Sequence, residues 1–384
     1  MKKKLFGILM LSAIAPLAHA QSHVTLYGVI DEGLIYNNNA GGHAQYSQAS
    51  GSEESSRWGL KGSEDLGGGL SAIFDLENGF NGSTGGITYA GDMFGKAAWV
   101  GLSSATYGTV TFGRQYDSVL DYVSQFSTSD NWAGGYASHP GDMDNMNNNW
   151  SENNAVKFKS ASYAGLTFGG TYAFGNKAGN FTQNQIVSAG AGYTHGPFAM
   201  GVAYVNARDP NYSYFGTLPN SSTTASNMSF LVNSGYASAH TLQVIDAGAS
   251  YTIGKSTFAG TYSNSQYQNL GYETGLGGQN NRGESAKFHN VEVNYTYQAA
   301  PDWRLTVAYD YTKGYGVNDA SYHLAEVGTD YALSKRTDLY LTGLYEHASG
   351  TDSTGSAAHA QLIFQAASST ANQLAVLAGI RHSF

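Results

Sequence analysis

Cysteine is absent from this 384-residue chain, and proline occurs only six times. A chain without cysteine has no disulfides and no thiolate metal ligands, so its stability must come from its size or from burial in lipid. Charged residues make up only 12% of the chain, and acids outnumber bases by 28 to 19. An acidic chain lacks the basic surface that nucleic acid requires, so we expect no nucleic-acid partner.

The first twenty residues have the pattern of a secretory signal peptide. Three lysines at residues 2–4 precede an apolar run at 5–17 and the cleavage site Ala-His-Ala at 18–20. We therefore expect residues 1–20 to be removed, leaving a single domain of residues 21–384. That domain has 16 Lys and Arg against 28 Asp and Glu, a formal charge of −12. It contains no run of eighteen apolar residues, so we expect no membrane-spanning helix.

Glycine and tyrosine are abundant, with 49 and 28 residues, as in chains rich in strands and turns. In residues 303–313, Leu305, Val307, Tyr309 and Tyr311 alternate with polar residues, which predicts a strand with one apolar face. No segment has a convincing helical period, and about sixteen strands are predicted. They lie near 23–36, 55–65, 70–80, 92–103, 108–116, 153–163, 166–175, 183–195, 197–208, 241–253, 256–268, 284–299, 303–315, 320–334, 337–349 and 372–384.

The connections between these strands alternate between short turns and long polar loops. Long loops are predicted near 37–54, 117–152, 209–240, 269–283 and 350–371. Aromatic residues fall toward strand ends, as in the girdles at the two lipid interfaces of a membrane barrel. They are Tyr27, Tyr36, Tyr163, Phe168, Tyr172, Phe174, Tyr193, Tyr251, Tyr262 and Tyr331. The pattern predicts an all-β fold, a transmembrane antiparallel β-barrel of 16 strands.

The loop at 117–152 exceeds thirty residues and has no periodic pattern. Loops of this length are usually functional or disordered. We expect this one to fold inward as a constriction loop that narrows a water-filled barrel. Its candidate functional residues are five acids, Asp117, Asp121, Asp130, Asp142 and Asp144.

Four segments resemble the general porins of Gram-negative bacteria, in particular the beta-proteobacterial and neisserial type. They are SHVTLYGVID at 22–31, SRWGLKGSEDLGGGL at 56–70, FGRQY at 112–116 and GIRHSF at 379–384. The resemblance covers essentially the whole chain after the leader. It implies a sixteen-stranded homotrimer in the cell outer membrane that passes ions and small hydrophilic solutes by passive diffusion, with the third loop in the lumen.

The resemblance also implies partners during and after assembly. A terminal aromatic on an alternating strand, here Phe384, is the signal that the barrel-assembly machinery reads in such proteins. Around the finished barrel we expect outer-membrane lipid and lipopolysaccharide.

Porins of this kind set basic side chains on the barrel wall against acids on the inward loop, and such facing charges decide which ions enter. Six residues are candidates for the basic wall: Arg57, Lys61, Lys96, Arg114, Lys157 and Lys159. Alternation directs four of them to the lumen because Trp58, Leu60, Val156 and Phe158 take the lipid face. These four are Arg57, Lys61, Lys157 and Lys159.

Arg114 is a separate case. Strict alternation gives it the phase of Val110 and Phe112, so only the resemblance places it in the basic wall, and a bulge near Gly113 would have to redirect it. At residues 150–152 the chain reads Trp-Ser-Glu, where the family often has an arginine. This departure weakens the expectation of a strong anion preference.

Motifs of catalysis are missing. The chain has no P-loop, no G-x-S-x-G elbow and no H-E-x-x-H pattern, so we expect no enzyme, no cofactor and no metal site. Two alternatives stay open. One is a substrate-selective channel of the same fold, and the other is a barrel that acts mainly as an adhesin through the loops near 209–240 and 350–371.

Overall fold

The computed structural model describes residues 22–89, 91–276 and 278–384; the predicted signal peptide at 1–20 lies outside these ranges. Within them, seventeen strands form one antiparallel sheet, which closes because β1 pairs with β17. The strands are β1 His23–Ala40, β2 His43–Ser50, β3 Arg57–Gly67, β4 Leu70–Gly79, β5 Ala97–Ser104, β6 Gly108–Gln115, β7 Glu152–Ser160, β8 Leu166–Ala173, β9 Ile186–His195, β10 Phe198–Arg208, β11 Thr241–Ile253, β12 Ser256–Gln268, β13 Ala286–Ala300, β14 Trp303–Gly316, β15 Ser321–Ala332, β16 Thr337–Ser349 and β17 Asn372–Ser383.

The barrel wall has sixteen strands because β2 and β3 lie end to end beside β1. The C-terminal part of β1 pairs with β2, with Glu32 opposite Ser50. Its N-terminal part pairs with β3, with Val29 opposite Arg57. Residues 51–56 separate β2 from β3. The predicted closed barrel of 16 antiparallel strands is therefore confirmed.

The two faces of each strand alternate as expected for a wall between lipid and lumen. In β14, Leu305, Val307 and Tyr309 are 37%, 49% and 44% exposed, whereas Thr306 and Asp310 are buried inside the barrel. Lipid rather than protein covers the outer row. The predicted girdle needs one correction, because Tyr27 points into the lumen, where its hydroxyl donates to Asp75 at 2.7 Å.

The connections differ from the prediction at several places. Most of the loop predicted at 37–54 is a hairpin, since β1 continues to Ala40 and β2 begins at His43. This stretch is polar on both faces and lacks the apolar alternation that indicates a strand. Two further long loops, 80–96 and 174–185, join β4 to β5 and β8 to β9, while only residues 317–320 join β14 to β15.

The third loop, residues 116–151, folds into the lumen as predicted and is called the inward loop below. It carries α1 Ser118–Tyr122, α2 Thr128–Asn131 and short 3-10 turns, and the loop after β10 carries α3 Pro210–Ser213. In the described ranges, the 3-10 turns are Ser124–Phe126, Gly135–Ala137, Pro140–Asp142, Ser234–Tyr236 and Gln279–Asn281. Among the described residues, no helix has both the length and the apolar character needed to cross a membrane.

Candidate functional site

The inward loop packs on the lumen side of β8 to β13. The ring of Tyr122 lies so close to Gly190 that a Cβ at position 190 would overlap it, so the loop can pack here only against a glycine. Further along the loop, Thr128 donates its backbone N–H to Glu292 of β13 at 2.9 Å, and Asn294 donates to the carbonyl of Phe126 at 2.8 Å. These bonds fix the first half of the loop to the wall. The loop also crosses to the facing side of the lumen, where Gly134 lies so close to residues 51–56 that a Cβ there would overlap the carbonyl oxygen of Ser52.

Asp117 anchors the first turn of the inward loop. Its Oδ1 accepts the backbone N–H of Val119 at 2.8 Å and so caps α1. Its Oδ2 accepts from Asn145 and from the hydroxyl of Tyr214, both at 3.0 Å. Asp117 is fully buried, so the structure gives it a place in the support of the loop rather than in the open space.

Asp121 joins the loop to the wall through two predicted lysines. Lys157 Nζ lies 2.5 Å and Lys159 Nζ 3.4 Å from its carboxylate oxygens. Both lysines point into the lumen, as their phase predicted. They lie behind the inward loop, however, rather than on the wall opposite to it.

His139 lies at the centre of a buried charged cluster at the far end of the loop. Its Nδ1 is 2.7 Å from Asp144, and its Nε2 is 3.1 Å from Glu292 and 3.6 Å from Asp310. Burial alone lowers the pKa of His139, but the carboxylates of Asp144 and Asp310 together raise it well above 6.5. His139 thereby joins the loop to Glu292 of β13 and Asp310 of β14.

Asp142 closes the turn that precedes the return of the loop to the wall. Its carboxylate accepts the backbone N–H of Asn147 at 3.0 Å and the side-chain amide of Asn149 at 2.9 Å. Burial, and secondarily the nearby Asp144, raise the pKa of Asp142 to about 7. Asp142 and Asp144 are both buried and serve the loop's own conformation.

A cavity of about 300 Å³ separates the inward loop from the opposite wall and is called the gap below. Of the five predicted loop acids, Asp130 lines it. From the wall come three basic side chains, Arg57, Lys96 and Arg381, and three acids, Glu53, Glu54 and Glu77. The gap therefore has four acidic and three basic side chains along its sides.

Ion pairs cross the surface of this wall. Arg57 contacts Glu54 at 2.5 Å and Glu77 at 3.2 Å. Arg381 lies 3.1 Å from Asp338, 3.4 Å from Glu54 and 3.5 Å from Glu53. The wall is thus a mixed array in which each arginine has acidic neighbours, whereas the sequence analysis named only basic candidates on it.

The segment 51–56 brings the two adjacent glutamates into the lumen. Asp31 of β1 holds it, because its Oδ2 accepts the backbone N–H groups of Glu53 and Glu54, each at 2.7 Å. The hydroxyl of Tyr340 donates to the other oxygen of Asp31 at 2.6 Å. This segment is a second inward projection, and the inward loop meets it at Gly134.

Two of the predicted lysines also lie on this side of the barrel. Lys96 is buried at the edge of the gap, with its Nζ 5.9 Å from the ring centre of Tyr89 and 5.8 Å from that of Tyr116. Lys61 lies lower on β3, with its Nζ 4.8 Å from the ring centre of Tyr27. Lys61 is outside the gap lining, whereas Lys96 also borders the wider cavity of about 480 Å³ beneath the loop at 80–96.

The assignment of Arg114 to the lumen is corrected by the structure. The register shift occurs at Asn153 and Asn154 of β7, opposite Arg114, and leaves Arg114 in the outward phase of Phe112. Gln115 is the inward residue, hydrogen-bonded to Thr111 at 2.6 Å. Arg114 instead donates to the carbonyl of Gly95 at 2.7 Å and to Asn153 at 2.6 Å, away from the gap.

Four charged residues of the gap escaped prediction, namely Arg381, Glu53, Glu54 and Glu77. For Arg381 a signal existed, since Ile380 and His382 take the lipid face and alternation then directs Arg381 inward. Glu77 had the same signal from its outward neighbour Leu76. For Glu53 and Glu54 there was none, because residues 51–56 read as an ordinary polar loop.

Known proteins resemble this chain in both sequence and fold. A family model described as Gram-negative porin matches residues 7–351. An outer membrane porin protein of Bordetella pertussis is 29% identical over 388 residues, covering 90% of this chain and 94% of the relative. Outer membrane porin protein 32 of Delftia acidovorans is 31% identical over 214 residues, which is 52% of this chain and 58% of that protein.

Solved structures agree on the architecture. An anion-selective porin from Comamonas acidovorans superposes with a TM-score of 0.74 at 21% identity, covering 95% of this chain and 100% of that one. The trimer form of OmpT, an outer membrane protein of Vibrio cholerae, superposes with a TM-score of 0.62 at 17% identity, covering 94% of this chain and 99% of that one. At these identities the likeness concerns the fold.

Proposed function

The chain belongs to the Gram-negative porin family, and from that premise we propose that its gap is a mixed-charge constriction that admits small hydrophilic ions of either sign. The protein forms a water-filled channel in the outer membrane, which solutes cross by passive diffusion. We propose that the gap decides how this channel treats charged solutes. We propose no covalent step for any residue of the lumen.

The observation that carries the proposal is the composition of the gap. Arg57, Lys96 and Arg381 share the wall with Glu53, Glu54 and Glu77, and Asp130 faces them from the loop. Charges at a constriction act on passing ions mainly within about 8–10 Å, because salt screens them beyond that distance. An ion in the gap therefore meets both signs at once. The formal sum is −1, and burial raises the pKa of Glu53 to about 8, so the gap is close to neutral and favours cations only slightly.

This balance separates the chain from its structural neighbour. The Comamonas porin is described as anion-selective. A strong anion preference requires an excess of positive charge at the constriction, and the gap of this chain has no such excess among its described residues. We propose that the two channels share a fold and differ in selectivity.

The packing of the two loops considered as adhesive surfaces favours a channel over an adhesin. The loop at 209–240 turns inward and buries Tyr214, Phe215 and Tyr236, and the loop at 350–371 buries Leu362 and Ile363. Side chains used to pack against the barrel are not offered to a host surface. This packing instead covers part of the mouth of the barrel.

The assembled form is a further part of the proposal. We propose a homotrimer, which the trimeric Vibrio neighbour supports by its shared fold. Phe384 directly follows β17 on the lipid face and bonds to β1, its N–H donating to the Gly28 carbonyl at 3.0 Å. A terminal aromatic in this exposed position is accessible to the barrel-assembly machinery, which we propose as the partner that reads it.

Planar-bilayer recording tests the proposed function. The purified protein is expected to insert with ohmic steps in groups of three, and to give a small, cation-directed reversal potential in a tenfold gradient of potassium chloride. Conductance that saturates with one solute would support the substrate-selective channel instead. Absence of conductance would support the adhesin, and a large anion-directed potential would refute the mixed-charge gap.

A further inference from the structure

A second cavity lies beneath the loop at 80–96 and encloses about 480 Å³; it is called the vestibule below. Ser55 and Lys96 line both the vestibule and the gap, so the two spaces adjoin. The vestibule lies among long loops, which face the cell exterior in a porin. We propose that it binds solutes that carry one carboxylate on an aromatic ring and presents them to the gap. This inference rests on the proposed function, because it adds a binding step in front of the channel and leaves the diffusion of inorganic ions to the gap.

Aromatic rings from three loops line the vestibule. They are Phe80 and Tyr89 of the loop at 80–96, Tyr136 of the inward loop and Phe364 of the loop at 350–371. The rings of Tyr136 and Phe364 meet edge to face, with their centres 5.5 Å apart and their planes at 79°. Small-molecule sites are cavities of about 300–1,000 Å³ with mainly apolar and aromatic walls. The size and lining of the vestibule therefore suit a solute with an aromatic ring, which aromatic side chains attract through stacked and edge-to-face contacts.

Phe364 is held in an unfavourable backbone conformation. Its φ is 63°, a value that bulky side chains rarely adopt. The residue is 57% exposed, so burial of its ring does not account for this conformation. Gly135 makes room for the ring, because a Cβ at position 135 would overlap it. Strained residues cluster at binding sites, and a strained aromatic with an exposed ring beside a cavity indicates that the free face of the ring serves a ligand.

Lys96 supplies the positive charge of the vestibule. The residue is buried, at 5% exposure, and its Nζ lies near the rings of Tyr89 and Tyr116. In the described part of the chain Lys96 has no ion pair, whereas Arg57 and Arg381 each contact two or more acids. A buried ammonium group is costly without an anionic partner, and a carboxylate forms short charge-assisted hydrogen bonds with it. Lys96 is therefore the group of the vestibule that attracts an anion.

The other polar groups of the vestibule are neutral. Among the described residues that line it, hydroxyl and amide side chains occur and carboxylates do not, since Glu77 lines the gap and not the vestibule. A solute with two carboxylates would leave one negative charge without a basic partner here, and a ring without a carboxylate would leave Lys96 unpaired. One ring with one carboxylate therefore matches the site. Because Lys96 also lines the gap, the bound carboxylate would lie where the gap begins.

Equilibrium dialysis of the purified protein in detergent measures the binding directly. Three radiolabelled solutes are compared: benzoate has the ring and the carboxylate, acetate has only the carboxylate, and benzamide has only the ring. The variants are Lys96→Gln and Phe364→Ala, and their folding is checked by heat-modifiable migration in gels. The control for Lys96 is Lys61→Gln, which changes a lysine beside a tyrosine ring outside both cavities. The control for Phe364 is Phe181→Ala, which changes an exposed aromatic of another long loop that packs on Tyr172.

We expect the unmodified protein to bind benzoate about tenfold more tightly than acetate or benzamide, because only benzoate uses both the ring contacts and the charge. Lys96→Gln and Phe364→Ala should each weaken benzoate binding about tenfold, and the two controls should bind it as the unmodified protein does. If either variant fails to fold, Lys96→Met and Phe364→Leu preserve the bulk of the side chains. Equal binding of benzoate and acetate, or an equal loss in a variant and its control, would overturn the proposal.

Planar-bilayer conductance in potassium chloride is measured on the same samples. Conductance together with benzoate binding that does not depend on the ring would refute the vestibule alone. Benzoate binding without conductance would refute the channel alone and leave the vestibule as a binding site. The two proposals therefore fail separately.

Discussion

Removing the two arginines of the gap should turn a nearly unselective channel into a cation channel. In Arg57→Gln with Arg381→Gln, the acids that these arginines contact remain in the lumen. Both arginine side chains are about one-fifth exposed, at 23% and 20%, and border water, so the folded barrel should tolerate the change. The formal charge of the gap lining then falls from −1 to −3.

The size of the effect follows from Coulomb's law. An ion about 7 Å from a unit charge in water interacts by about 0.6 kcal/mol, and salt of about 0.1 M reduces this to about 0.3 kcal/mol. Two lost charges then favour cations by about 0.6 kcal/mol and disfavour anions by the same amount. The permeability ratio of potassium to chloride should therefore rise about sevenfold.

The assay is the reversal potential in a tenfold gradient of potassium chloride across a planar bilayer, with Arg114→Gln as the matched control. Arg114 is also an arginine of the barrel, but it lies outside the gap, so its loss should leave the potential unchanged. An unchanged potential in the double variant would refute the reasoning, and so would an equal shift in the control. Higher salt should diminish the shift, because screening acts on these same charges.

Three further predictions concern the supports of the barrel. Asp121→Asn removes the ion pairs that hold the base of the inward loop, so open-channel current noise should increase several-fold. The pKa of His139 is raised, so its protonated form stabilises the loop fully below pH 6.5, and this contribution is lost as pH rises through the raised pKa. Open-channel noise should therefore grow in alkaline solution. His139→Gln should remove this pH dependence and raise the noise at neutral pH. Gly28→Val places a side chain against the ring of Phe384 and the backbone of Arg57, so barrel closure should fail and heat-modifiable folded protein should largely disappear from gels.

Much of the fold could be predicted because, in a membrane barrel, the order of residues along each strand shows which face meets lipid and which meets the lumen. A strand between lipid and water must alternate, and β14 does so along its length with Leu305, Val307 and Tyr309 outward. The hairpin of β1 and β2 could not be seen this way. It rises past the apolar band, where both faces meet water and the alternation loses its physical cause.

The gap was harder to predict because it depends on which lumen residues share one level and one side. Alternation placed Lys157 inward correctly but could not show that the inward loop covers it. For Arg114, alternation and the family resemblance disagreed, and the geometry followed alternation. The inward position of Glu53 depends on its backbone contact with Asp31, more than twenty residues away, which no local pattern reveals.

The gap lies beside the seam where the two ends of the chain meet. Asp31, which holds the glutamates of the gap, lies directly opposite Arg381 in the pairing of the first strand with the last. In a nascent barrel whose first and last strands have not yet paired, the acidic and basic side chains of the gap would be out of position. Selectivity therefore depends on closure of this seam, and we expect an incompletely closed molecule to pass ions of both signs alike.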